Sequence, residues 1–208
     1  MTQPEHGERR AGERSAGGRE TRDGSDIVKG WPEESREAAQ LVIDRHGEPH
    51  EATDSLLIWH DVRPWKRIIA SRMFYRHDFP APHTDSVESV LRYKVPPALF
   101  SPLAEFDGSV VVERTAGEVS ARCHDEEANN LALNLMHDIV TGAKTVAQAR
   151  AYYAEEFLNY RRKKPTPYME GLRFELPAGD TADPDERVLS DEDLARAADE
   201  GKRARTEH

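Results

Sequence analysis

Residues 109–140 read SVVVERTAGEVSARCHDEEANNLALNLMHDIV, and this stretch decides the fold. Val110, Val111 and Val112 form a β-prone run, and Val119, Ser120 and Ala121 form a second. Ala116 and Gly117 join them, and glycine supplies the positive φ that a tight hairpin needs. The period then changes from two to about four. Asp125 suits a helix N-cap, and Glu126 and Glu127 suit the positive end of the dipole. Leu131, Leu135 and Ile139 recur on one side, and Gly142 closes the helix. A hairpin running straight into an amphipathic helix predicts an α+β protein.

Downstream, Thr145-x-x-Gln148 is a capping box that opens another helix. Val146, Arg150, Tyr153, Phe157 and Tyr160 line one of its sides, and Pro165 ends it. A short helix is expected from Ser190 to Gly201. Upstream, Pro32, Glu33 and Glu34 start a helix that Gly47 and Pro49 stop. Leu56–Trp59 and Trp65–Tyr75 read as a strand pair joined at 60–64. Residues 76–86 read as loop, because Pro80 and Pro82 interrupt them. Alternation from Ser89 to Val95 reads as a strand, and Pro96-Pro97 opens a short helix reaching Phe106. The expected architecture is a mostly antiparallel sheet with helices packed on one face.

The helix, Gly47-x-Pro49 and Trp59 unit resembles the repeat of small outer-membrane assembly lipoproteins. The resemblance stops at Trp59 and is taken as a shared local motif.

Composition sets the outer limits. The chain has 208 residues, a net charge of −10, and one cysteine, Cys123. An intrachain disulfide is therefore excluded. The N-terminal stretch lacks the apolar core of a secretory signal, and no membrane-spanning run is present, so the cytoplasm is the expected location. Residues 1–29 hold six acids and six bases with almost nothing apolar, and are expected to be a disordered arm. Residues 30–177 form the expected single domain. Residues 178–208 hold ten acids and five bases, an acidic and largely disordered tail. The acid excess argues against broad nucleic-acid coating, so nucleic acid is an unlikely partner.

No P-loop, dinucleotide glycine pattern, H-E-x-x-H or G-x-S-x-G is present. Four groups remain as candidates. His77, His83 and Asp85, with His60 from the preceding hairpin, offer nitrogens and a carboxylate to a divalent metal such as Zn²⁺ or Fe²⁺. Cys123 precedes a helix start, a placement that lowers a thiol pKa, while Glu126 and Glu127 oppose that effect. Asn130, Asn134 and His137 share one helix face with Thr141, either as a ligand pocket or as a solvated surface. Arg161, Arg162, Lys163 and Lys164 make a basic patch suited to an acidic partner or to the acidic tail folding back. The expected function is that of a small accessory protein acting by binding, to a protein partner or a second copy through Tyr153, Phe157 and Tyr160. The alternatives are a metal-binding protein or metal-assisted hydrolase, and a thiol-based sensor.

Overall fold

The computed structural model describes residues 23–206. Six strands form one antiparallel sheet: β1 (Glu51–Ala52), β2 (Leu56–His60), β3 (Arg67–His77), β4 (His83–Arg92), β5 (Val110–Glu113) and β6 (Glu118–Cys123). Their order across the sheet is β1-β2-β3-β4-β6-β5. The helices are α1 (Gly24–Ile27), α2 (Glu33–His46), α3 (Phe100–Phe106), α4 (Glu126–Val140), α5 (Val146–Arg161) and α6 (Asp191–Thr206). The α+β class and the antiparallel sheet agree with the sequence.

Register explains which face is covered. Leu57 faces Ala70, Ala70 faces Val87, and Val87 faces Cys123. One row along, Trp59, Ile68, Ser89, Ala121 and Val110 align in the same way. All of these are buried. Helix α2 packs over β3 and β4, while α4 packs over β4, β6 and β5. The other face carries polar pairs instead: Lys66 and Arg67 with Glu118, and Ser120 with Glu88. Alternation with period two therefore separates core from surface.

The local signals act as read. Gly47 adopts φ 80° at the end of α2. The Trp59 indole N–H donates to the Gly47 carbonyl at 2.9 Å, so the helix stop and the strand tryptophan hold one another. Asp125 accepts from the Ala128 N–H at 2.8 Å, and Thr145 and Gln148 form the capping box. Leu131, Leu133 and Leu135 are each fully buried, which stabilises the fold by about 1.5–3 kcal/mol apiece.

Three expectations change. Residues 76–86 are not loop throughout, since β3 runs to His77 and β4 starts at His83, with prolines only in the connection. Residues 23–29, assigned to a disordered arm, form helical turns whose Ile27 and Val28 join the core. The rest of that arm, 1–22, lies outside the described residues. The beginning of the acidic tail is anchored: Thr181 is buried and its hydroxyl donates to the Gly117 carbonyl at 2.7 Å. Arg114 binds Asp183 at 3.1 Å and Asp185 at 2.9 Å. The tail thus meets the β5–β6 turn, not Arg161–Lys164. The late helix exists as α6 and runs to Thr206.

Gly117 joins these two segments. It has φ 63°, and a Cβ there would overlap the Thr181 backbone. Strain and overlap act together, so Gly117→Ala is expected to cost at least about 2 kcal/mol. Urea unfolding read by circular dichroism would show it. A variant as stable as the wild type would mean that the tail does not pack on this turn.

Candidate metal centre at the end of the sheet

The candidate site forms where the β3–β4 hairpin meets the start of β5. Ala70 pairs with Val87, and the next pairing is Tyr75 with Asp85. Five residue steps on β3 thus face two on β4. Simple alternation from Ala70 would send His77 to the opposite face. The extra residues of this bulge restore it, and His77 pairs directly with His83. Their rings lie 4.8 Å apart.

Aromatic packing fixes the hairpin tip. Phe79 lies 5.1 Å from the Tyr153 ring and 6.4 Å from Phe106. The Arg150 guanidinium sits 3.8 Å over Phe79 and donates to the Phe106 carbonyl at 2.5 Å. Tyr153 is 3% exposed and spent on this contact, so it is not available to a second copy of the chain. Of that expected interface, Tyr160 stays at the surface.

Asp85 is 2% exposed and lies at the centre of the group. Its Oδ2 accepts from the Ser109 hydroxyl and lies 3.2 Å from His77 Nδ1. His77 Nδ1 is also 3.1 Å from Ser109 Oγ, and its Nε2 is 3.7 Å from Asp107 Oδ1. His83 Nδ1 lies 2.8 Å from the Ala81 carbonyl oxygen. A carbonyl only accepts, so Nδ1 carries the proton. His83 Nε2 then faces Asp85 Oδ1 at 3.1 Å. The separation is that of a hydrogen bond but the alignment is not, and both buried atoms lack a hydrogen-bond partner.

The three residues His77, His83 and Asp85 can each place one ligand atom within 4.8 Å of the others. Ligands bound tetrahedrally at about 2.0–2.2 Å stand roughly 3.3 Å apart, close to the His83–Asp85 spacing. A metal-ligating histidine usually gives its other ring N–H to a carbonyl or carboxylate, as His83 does to the Ala81 carbonyl.

Electrostatics match this geometry. Burial alone would lower the His83 pKa, but the Asp85 carboxylate, Cys123 and the Ala81 carbonyl override it and push it up to about 11. Burial raises Asp107, and the nearby Asp85 charge adds to this against the Ser109 N–H and the histidines. Asp85 thus favours a cation at His83 Nε2. In the metal-free protein that cation is a proton.

The other candidates fall elsewhere. His60 stands at the far end of β3, paired with Arg67, where it contacts Glu51 at 2.6 Å and stacks on His50. A strand of eleven residues separates it from His77, so it is not a fourth ligand. Cys123 is buried beside His83, and desolvation pushes its thiol pKa up despite the histidine. Its place within the sheet outweighs the helix start that follows. Asn130 and Asn134 are buried and form neither a pocket nor a wet face. They donate to the Met169 carbonyl at 3.3 Å and to the Tyr168 and Gly171 carbonyls at 3.0 and 2.9 Å. His137 contacts the Tyr93 hydroxyl at 2.8 Å and stacks on Phe174 at 4.2 Å, and burial lowers its pKa. The segment 166–174 therefore occupies the expected pocket. Arg161–Lys164 are exposed at the end of α5.

Sequence reading missed Ser109 and Asp107. An Asp-Gly pair at 107–108 suits a turn, but nothing in its spacing points to the β3–β4 hairpin. No family model, curated protein or solved structure matches this chain.

The His83 pKa is raised on folding. The pair therefore contributes stability that is fully present below the ordinary value of 6.5 and lost as pH climbs through about 11. Asp85→Asn should lower the His83 pKa, because burial then loses its largest opponent, and cost about 3 kcal/mol. Histidine ring-proton NMR across a pH series reads the first effect. An unchanged His83 titration would show that Asp85 does not set it.

Proposed function

We propose that this protein acts by binding a divalent metal ion through His77, His83 and Asp85. The observation that carries the reading is the facing pair of buried atoms His83 Nε2 and Asp85 Oδ1, 3.1 Å apart and without an aligned hydrogen bond. Buried Asp85 holds a cation at this point, and a metal ion can take the place of the proton that His83 Nε2 carries in the metal-free protein. His77 supplies the third donor from the opposing strand. Two imidazoles and one carboxylate suit Zn²⁺ or Fe²⁺ better than Ca²⁺ or Mg²⁺, which prefer all-oxygen shells.

A donor count of three also supports a second reading, metal-assisted hydrolysis. Catalytic zinc sites keep one position for water, whereas structural sites close with four protein ligands. Zinc-dependent turnover of an activated ester that His83→Ala abolishes would support it. The absence of turnover in a zinc-loaded protein would leave binding alone as the function.

Purified protein should take up close to one equivalent of Zn²⁺ by elemental analysis after dialysis, and the metal should raise its melting temperature. His77→Ala and His83→Ala should each weaken binding at least tenfold. Affinity should rise with pH, because the ion must displace a proton. Co²⁺ substitution would report the coordination number by its absorption. Sub-stoichiometric metal that neither variant changes would overturn the proposal.

A further inference from the structure

A groove of about 900 Å³ opens at the end of the sheet opposite the His77 cluster, between the β2–β3 turn and the segment after Phe174. Its walls include Asp61, Arg63, Trp65, Arg92, Glu175 and Leu176. That volume falls within the range of small-molecule sites.

The lining is rich in hydrogen-bond donors. Trp65 is 2% exposed, and its indole N–H is buried without an acceptor. The contrast with the other two tryptophans is direct: Trp31 donates to the Asp54 carbonyl at 3.0 Å and Trp59 to the Gly47 carbonyl at 2.9 Å. An indole N–H can only donate, so this donor stays unsatisfied among the described residues. Arg63 is exposed and makes no ion pair among the described residues. Arg92 reaches Asp61 only at 3.5 Å, the outer limit of a hydrogen bond, and keeps most of its donors open. Nearby Lys66 and Arg67 are different, because Glu118 neutralises both.

We infer that this groove binds a small anion through carboxylate or phosphate oxygens. Arg63 and Arg92 supply planar guanidinium forks suited to either head group. Leu176 gives an apolar wall for the rest of the ligand. Asp61 and Glu175 oppose an anion and limit its affinity. The site uses no residue of the metal centre.

Trp65 reports on its own groove. Titration of the metal-free protein with inorganic phosphate, and separately with acetate, should change tryptophan emission in a saturable way. Potassium chloride at equal ionic strength should not. The paired titrations tell which head group is preferred. Arg63→Ala with Arg92→Ala should weaken binding at least tenfold while leaving the circular dichroism spectrum unchanged. Glu175→Gln should tighten binding severalfold. Trp65→Phe should remove the optical signal, with calorimetry still detecting binding. His83→Ala should bind both anions like the wild type, which separates this site from the metal proposal. A response to neither anion, or a curve the double arginine variant does not alter, would overturn the inference.

Discussion

The backbone ladder on either side of β4 (residues 83–92) constrains everything else in this molecule. That strand pairs with β3 on one edge and β6 on the other, so its side-chain alternation sets the covered face for both neighbours. Val87, Ser89 and Leu91 point into the core beneath the helices, and His83 and Asp85 continue the same row at the end. A slip of one residue would turn every one of these side chains to the other face. The core and the candidate site therefore share one register. The bulge opposite adapts β3 to it and delivers His77 to the side where His83 and Asp85 stand.

Buried polar side chains do a second job in this fold: they hold segments that lack regular hydrogen bonding. Asn129 ties α4 to β4 through the Val87 carbonyl and the Ser89 hydroxyl, both at 3.0 Å. Asn134 donates to two carbonyls and accepts from the Arg173 N–H at 2.7 Å. Glu156, 3% exposed, accepts from the Tyr168 and Met169 N–H groups at 2.7 and 3.2 Å. A coil segment carries donors and acceptors that no ladder satisfies, and burial without partners is costly. These side chains stand in for the missing strand, so helix α4 can be buried on both sides.

The molecule separates its unpaired chemistry by charge. Around His77 and His83, an oxygen of the buried Asp85 carboxylate accepts no aligned hydrogen bond. At the opposite end, arginines and an indole leave donors without acceptors. Both ends sit at the margins of a well-satisfied sheet, where the ladder runs out and side chains are free of core packing. The ligands proposed for them are accordingly of opposite character, a cation in one case and an anion in the other.

Local sequence by itself determined the elements whose causes lie within a few residues. The capping box at Thr145, the cap at Asp125, the stop at Gly47 and the hairpin at Gly117 are short-range steric and hydrogen-bonding effects. The α+β class, and His77, His83 and Asp85 as a group, were legible for the same reason, since one hairpin carries all three. Tertiary structure decided the rest. The bulge alone put His77 on the right face and left His60 a strand's length away. Ser109 reached Asp85, and Asp107 came near His77, only through the pairing of distant strands, which no spacing records. Asn130 and Asn134 looked solvated because a helix pattern shows polarity but not what covers it. Their partners lie more than 30 residues away, and only packing of the distant segment brings them into contact.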